Sequence, residues 1–415
     1  MNAYVRKLNK LVKKPSVFFR DYFLKMAPIN YGENIELLEV EKKGSASQPI
    51  LVEAKKSTSR LTSEAKKVIS VKTKSSNTVK KPAINKTSDN TFSIEDIYSV
   101  TFPIDIVYTW VDGDDIDFIK EKNKYLPQGS EIKPETFDSA RFASRNELLY
   151  SLRSVEQYAN WVNHIYIVTN GQVPYWLNIN HPKVTLVPHK DIIDQQYLPT
   201  FNSHVIESCL HKIPNLSEHY IYLNDDVFFT RPMDPNYFYT SGGISKLFIT
   251  NALLADGPQN AQDTPTQLAG KNSRKLIFNN FDFIANRMFA HTFHPQKKSI
   301  QSFIEEKFHE EFDLMRKNKF RNDTDLLSAT FMNHHISLLL GKAIATRTPC
   351  FYFNVRSASA PSHYKSLLAR KNTDLAPYSM CLNDVISSSK SLNNYEQILD
   401  NFLSSYYPEK SSFEI

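Results

Sequence analysis

The chain has 415 residues, 41% hydrophobic and 23% charged, a balance that excludes a low-complexity or wholly disordered protein. The net charge of +6 is concentrated at one end: residues 1–92 hold 19 Lys/Arg against 8 Asp/Glu, the remainder 31 against 36. The globular part therefore lacks a basic footprint, and no nucleic-acid partner is expected. The three cysteines, Cys209, Cys350 and Cys381, show no C-x-x-C spacing, which argues against a disulfide framework or a cysteine zinc site and for a reducing compartment.

Residues 1–43 form a basic arm. Its first 25 residues mix Lys/Arg with Leu, Val, Phe and Tyr, a pattern suited to an anionic membrane surface or a protein partner, the alternative being a solvated helix or a packing arm. Residues 44–92 are rich in Ser, Thr and Lys and are expected to be a disordered linker. No apolar run approaches the roughly 18–20 residues of a spanning helix. The arm shows no apolar signal core followed by a cleavage site. A cytoplasmic protein is expected, in peripheral contact with the inner face of the membrane through the arm.

Residues 93–415 read as the catalytic domain. The run Ile104–Val111 ("IDIVYTWV") predicts a strand. Ser144-Arg-Asn-Glu147 has the S-x-x-E spacing of a capping box, and the helix it opens carries Leu148, Leu149, Leu152, Val155 and Ala159 on one face. Strands are predicted at His164–Gly171 and Val184–Pro188, a helix over Ser203–Lys212, and a fourth strand in "YIYLNDD" from Tyr220. Strands alternating with helices predict an α/β fold, a mostly parallel, Rossmann-like sheet. After residue 270 the pattern is mainly helical, so residues 93–240 are the α/β core and 270–415 a helical part.

The strand ends carry the chemistry. They run out in Asp112-Gly-Asp114-Asp115, Asn170-Gly171-Gln172 and Asn224-Asp225-Asp226, and ligands in such sheets lie outside the carboxyl ends of the strands. Asp225, Asp226 and Asp115 are candidate ligands for Mg2+ or Mn2+, which favour carboxylate oxygens; the alternative is capping by Asp225 and ion pairing by Asp226. Asp105, early in the first strand, is either an edge residue facing water or a carboxylate aimed at a buried site. Arg141, Arg145, Asn202 and Ser203 stand at predicted helix starts, where phosphates bind and where ordinary caps are also found. His291 and His294, three apart, suit one helix face. Arg321 and Asp325 follow; a histidine base with an arginine clamp makes chemical sense for phosphoryl transfer, the alternative being structural histidines.

Taken together, "PIDIVYTWVDGDD", "RFASRNELLYSLRSVEQYANWVNHIYIVTNGQVPYWLN", "LPTFNSHVIESCLHKIPNLSEHYIYLNDDVFF", the His291–Arg321 region and "CLNDVI…FLSSYYPEKSSFE" resemble the conserved blocks of the Stealth family. The resemblance covers about residues 100–415. It implies transfer of a sugar-1-phosphate from a UDP-sugar to a hydroxyl of a capsular oligo- or polysaccharide, with release of UMP. By position in the blocks it implies catalytic roles for Asp105, His291 and Arg321, with metal binding by the Asp225-Asp226 pair. Arg141, Arg145, Asn170, Gln172, Asn202, Ser203, His294 and Asp325 are the candidate substrate-binding residues. The calcium-hand signature of eukaryotic relatives is absent, so no calcium site is expected. The alternatives are a metal-dependent glycosyltransferase releasing UDP and a non-catalytic capsule-complex binding protein.

Overall fold

The run of β-branched and aromatic residues from Ile104 forms strand β1 (Ile104–Thr109), buried along all but its last residue. Such continuous burial marks a strand covered on both faces. The structure, a computed structural model, describes residues 97–126, 142–260, 262–385 and 392–415. The basic arm, the linker and Arg141 lie outside the described residues.

In chain order after β1 come α1 (Ile116–Lys124), α2 (Glu147–Tyr158), β2 (Ile165–Thr169), β3 (Val184–Pro188), α3 (Ser203–Glu207), β4 (His219–Asn224) and β5 (Val227–Phe229). Then follow β6 (Ser245–Leu253), α4 (Pro265–Phe281), β7 (Arg287–Phe289), β8 (His294–Lys297), α5 (Lys298–Lys307), α6 (His309–Arg316) and α7 (Asn333–Leu339). The chain closes with β9 (Ala343–Thr346), β10 (Cys350–Asn354), α8 (Ala360–Arg370), β11 (Ser379–Asn383) and α9 (Tyr395–Tyr406). The part after residue 270 is helix-rich, as expected, and it also supplies five short strands.

The main sheet has the order β3-β2-β1-β4-β8. Its first four strands are parallel, and β8 is an antiparallel edge. The order reverses at β1, so the crevice outside the carboxyl ends of β1 and β4 is a topological switch point. Two smaller sheets have the orders β10-β11-β5 and β7-β6-β9. The predicted α/β, mostly parallel class is the observed one.

The chain changes sheets at Asn224-Asp225-Asp226. It leaves β4 there and at once pairs as β5 with β11, with Val227 opposite Cys381 and Phe229 opposite Ser379. Helix α2 holds this crossing in place. Ser151 Oγ donates to Val227 O at 2.6 Å, and Phe229 N–H donates to Ser154 Oγ at 3.0 Å. Leu148, Leu152 and Val155 of α2 pack in one cluster with Ile106, Ile167, Ile221, Phe228 and Met380. One core thus spans the main sheet and the sheet that carries the C-terminal segment.

Two local expectations need correction. Ser144 does not cap α2: its Oγ accepts from Trp110 Nε1 at 3.3 Å. The helix starts at Glu147 after Asn146 in the left-handed region at φ 64, and Glu147 turns back to accept from the Arg145 N–H. The helix predicted over Ser203–Lys212 breaks after Glu207, and a separate 3-10 turn covers Leu210–Lys212.

The helical part has its own core, formed by Ile277, Ile300, Ile304, Phe312, Met315, Phe331 and Ile336. A buried ion cluster stitches α5 and α6 to the turn after α3. Glu305 receives Lys212 Nζ at 2.7 Å, His211 Nε2 at 2.6 Å and the Arg316 guanidinium, while Arg316 Nη2 donates to Ser208 O at 3.2 Å. Burial alone raises a carboxyl pKa; here the three donors outweigh it and hold Glu305 well below the usual range. A lowered pKa gives stability that is present above the unfolded carboxyl value and lost as the pH falls through the folded one. Glu305→Ala leaves the Arg316 charge buried without its carboxylate, so at pH 7 it should lower the unfolding free energy by about 3–5 kcal/mol. In urea titrations that deficit should narrow below about pH 4, where the wild-type chain begins to lose the same contribution.

Candidate active site

At the switch point the loops after β1 and β2 are locked together. Asp112 N–H donates to Gln172 Oε1 at 2.9 Å, and Gln172 Nε2 donates to Asp112 O at 2.8 Å. Gly113 N–H reaches Phe142 O at 2.7 Å, and a Cβ at Gly113 would lie 2.2 Å from that oxygen. Only glycine permits so close an approach. Asn170 Oδ1 accepts from Gln172 N–H at 3.4 Å. Asn170 and Gln172 therefore shape the rim through backbone bonds.

Asp225 and Asp226 stand where β4 ends and β5 begins. Among the described residues, neither carboxylate is ion-paired to a lysine or arginine. Asp226 Oδ2 accepts from Cys381 Sγ at 3.3 Å and from Asn383 Nδ2 at 3.4 Å, both on β11. Its Oδ1 faces His291 Nε2 at 3.7 Å. Three atoms here lack any hydrogen-bond partner: Asp226 Oδ1, His291 Nε2 and Asn383 Oδ1. Unsatisfied polar atoms gathered at one point mark a place where a ligand or ion completes the bonding.

The electrostatics agree. Burial raises the Asp225 carboxyl well above its usual range, and the charges of Glu147 and Asp226 add to the rise. Burial pushes Glu147 up to about 7, opposed by backbone hydrogen bonds and reinforced by Asp226. Burial would raise Asp226 too, but His291, Cys381 and Asn383 outweigh it and its pKa is lowered. Burial would lower His291, and the neighbouring Asp226 reverses the sign, so its pKa is raised. Asp226 and His291 thus form a carboxylate–imidazole dyad beside two carboxyls that repel each other.

Such a donor set fits a divalent cation. Asp225, Asp226 and the Asn383 carbonyl offer hard oxygens of the kind Mg2+ or Mn2+ takes, and the like charges there need a positive partner. Burial keeps the Cys381 thiol pKa well above its usual value, with Asp226 adding to the effect.

Arg321 approaches from the loop before α7. Its Nη2 donates to Ser203 Oγ at 2.8 Å and its Nη1 to Thr266 Oγ1 at 3.4 Å. Its charge is near enough to oppose protonation of His291. Arg145 lies at the start of α2. It bonds Glu396 on α9 at 2.7 Å, Asp114 at 3.5 Å and Ser144 O at 3.0 Å, so it ties the acidic rim to the C-terminal helix.

Other expected site residues are placed elsewhere. Asp105 is fully buried near the amino end of β1, accepting from Asn163 Nδ2 and Ser217 N–H, each at 2.7 Å. In register it pairs with Tyr220, five strand residues before Asp225 and so about 16 Å from it. It braces two loops at the opposite sheet edge. Asp115 caps α1 by accepting from Phe118 N–H at 2.7 Å and does not join the Asp225-Asp226 pair. Asn202 and Asp325 are also fully buried. Asp325 accepts from Asn202 Nδ2 at 2.8 Å, His204 Nδ1 at 2.9 Å, Asn318 Nδ2 at 2.9 Å and Asn322 N–H at 3.1 Å. These bonds fasten the Arg321 loop to the start of α3 and leave no capacity for substrate. His291 and His294 do not share a helix face: His291 is in a loop and His294 opens β8. Buried, His294 stacks on Tyr222 and shares a 3.0 Å hydrogen bond with His334.

The sequence reading missed Glu147, Cys381 and Asn383. Glu147 was absorbed by the capping-box spacing. Asn383 had a visible signal, since Leu382-Asn383-Asp384 repeats the Leu-Asn-Asp ending of β4.

Four family profiles match the chain in order: Stealth protein CR1, conserved region 1, over residues 102–130; CR2, conserved region 2, over 141–247; CR3, conserved region 3, over 290–337; and CR4, conserved region 4, over 366–415. A capsular polysaccharide phosphotransferase of Neisseria meningitidis is 37% identical over 405 residues, which cover 97% of this chain and 100% of the relative. The chain belongs to the Stealth family. A capsular polysaccharide phosphotransferase of Actinobacillus suis is 38% identical over 410 residues, covering 98% and 100% of the two chains. An exopolysaccharide phosphotransferase of Streptomyces coelicolor is 37% identical over 316 residues, 76% of this chain and 53% of its own. A solved galactosyltransferase in complex with donor and acceptor sugar analogues aligns with a TM-score of 0.36 and 14% identity, covering 73% of this chain and 96% of its own. On the fold, Stealth region 2 supplies Glu147, Asp225 and Asp226, region 3 His291 and Arg321, and region 4 Cys381 and Asn383.

Asp105 and Asp225 should separate in a stability assay. Asp105→Ala removes two buried charge-assisted hydrogen bonds and should cost about 3 kcal/mol or more. Asp225→Asn relieves like-charge repulsion and should raise the metal-free unfolding free energy by about 0.5–2 kcal/mol while abolishing activity. Thermal unfolding of both variants in chelator checks the pair.

Proposed function

We propose that the chain is a capsular polysaccharide phosphotransferase that moves a hexose-1-phosphate or N-acetylhexosamine-1-phosphate from a UDP-sugar to a hydroxyl of a growing capsule chain. The observation that supports it most is the Asp226–His291 dyad at the carboxyl edge of the sheet, beside the repelling Asp225 and Glu147. Full-length similarity to capsular polysaccharide phosphotransferases supports the substrate class.

The donor pyrophosphate lies across the carboxyl ends of β1 and β4. Asp225, Asp226 and Asn383 are the residues that would hold Mg2+ or Mn2+, which supplies charge neutralisation for the pyrophosphate. Asp226 orients the His291 ring through Nε2 and raises its proton affinity, and Nδ1 takes the proton of the acceptor hydroxyl. The acceptor oxygen bonds to the β-phosphorus as the bond from that phosphorus to the bridging oxygen breaks, and UMP leaves. Arg321, steadied by Ser203 and Thr266, faces the equatorial oxygens as their charge redistributes. The sugar C1–O bond is not touched, so the anomeric configuration is retained and the product is a phosphodiester.

With Mg2+ or Mn2+, a panel of UDP-sugars and capsule oligosaccharides, the released nucleotide should be UMP and the product should contain phosphorus. UDP and a phosphorus-free product would replace this reading with glycosyl transfer. His291→Ala should lower kcat by about 100- to 10,000-fold with the fold intact. Arg321→Ala should lower it by about 100- to 1,000-fold.

A further inference from the structure

We propose that Asp226, His291 and Cys381 form a second, thiophilic mode of metal binding at this site, one that takes Zn2+ and shuts off transfer. One ligand atom from each of the three residues lies within 4.8 Å of the others. Asp226 Oδ1 is 3.7 Å from His291 Nε2, and Asp226 Oδ2 is 3.3 Å from Cys381 Sγ. A tetrahedral zinc with the usual bond lengths separates its nitrogen and oxygen ligands by about 3.3 Å and its sulfur and oxygen ligands by about 3.5 Å. The two short spacings run to different oxygens of the Asp226 carboxylate, so seating the ion on one oxygen takes a rotation of that carboxylate within a cluster whose ligand atoms lie within 4.8 Å of one another.

Two independent features point to an ion here and not to a closed polar cluster. Asp226 Oδ1 and His291 Nε2 are both buried atoms without a hydrogen-bond partner. The thiol is on β11 and the carboxylate immediately precedes β5, with Val227 opposite Cys381 and Leu382 N–H donating to Asp226 O at 3.0 Å, so the backbone fixes their separation. His291 keeps 40% of its side chain exposed, which leaves a path for entry and a fourth position for water. One Cys, one His and one Asp with an open position form an ordinary three-ligand zinc set.

Ligand hardness separates the two modes. Mg2+ and Mn2+ use the oxygens of Asp225, Asp226 and Asn383 and leave the thiol protonated. Zn2+ displaces the thiol proton to solvent on binding and takes Nε2 of His291 in the tautomer that carries its proton at Nδ1. Zinc therefore removes Asp226 from the hard-ion site and breaks the Asp226–His291 dyad in one step. The binding half of this proposal stands on the geometry alone; the inhibitory half rests on the function proposed above.

The test titrates Co2+, as a spectroscopic stand-in for Zn2+, into the metal-stripped full chain. One equivalent should produce a thiolate-to-cobalt charge-transfer band in the near ultraviolet. Zn2+ should abolish the band. Cys381→Ser should lack it, while Cys350→Ser and Cys209→Ser, which alter equally buried thiols, should keep it. Zinc-edge X-ray absorption on the unmodified chain should show one sulfur at about 2.3 Å, a reading that needs no variant to fold. Absence of the band in the wild-type chain, its survival in Cys381→Ser, or a zinc shell without sulfur overturns the site, with Cys381 then only an S–H donor to Asp226. In the transfer assay, Zn2+ should inhibit against Mg2+, and the inhibition, taken relative to each variant's own zinc-free rate, should weaken by more than about tenfold in Cys381→Ser. A cobalt band without zinc inhibition keeps the site and overturns the roles given to Asp226 and His291.

Discussion

The structure depends on placing two adjacent carboxylates, neither paired to a lysine or arginine among the described residues, where the chain passes from one sheet to another. A buried carboxylate without a cation costs several kcal/mol. The fold lowers that cost at Asp226, through Cys381, Asn383 and His291. It does not do so at Asp225, which Glu147 and Asp226 push further from ionisation. Unrelieved like charge at a topological switch point is the setting in which a ligand site is expected.

Around that point, polar residues divide into two kinds. Asp105, Asn202, Asp325 and Gln172 spend their hydrogen-bonding capacity on other protein groups. They hold loops in place, and the precision of the site depends on them. Asp225, Asp226, His291 and Asn383 keep unused capacity, visible as orphaned atoms or opposed charges. The distinction lies in where lone pairs and protons are directed, which residue type does not reveal. Arg321 joins the two kinds, since its loop is anchored through Asp325 while its guanidinium reaches Ser203 and influences His291.

The same comparison explains how much was legible beforehand. The α/β class and the strand positions were readable because continuous β-branched and aromatic runs form buried parallel strands wherever they fall. The acidic strand ends pointed to the correct sheet edge for Asp225 and Asp226, because a parallel sheet puts every carboxyl end on one side. The catalytic role expected of Asp105 came from its place in the family blocks, and the structure puts it near the amino end of β1, at the opposite sheet edge. The His291/His294 pairing assumed a helix, whereas His291 lies in a loop and His294 opens β8. Glu147 was taken for a cap because S-x-x-E spacing describes a local bond, and the local backbone at Asn146 turned the other way.

The sequence by itself determined the alternation of strands and helices, the family blocks and the stock of acids, histidines and arginines. Those follow from local propensity and composition, which each segment carries independently. Only the tertiary structure decided which of them meet. The pairing of β5 with β11 sets Asp226 beside Cys381 and Asn383, 155 and 157 residues away, and the loop before β8 delivers His291 to the same point. Such contacts depend on strand register across distant segments, and register is settled when one shared core closes around α2 and both sheets.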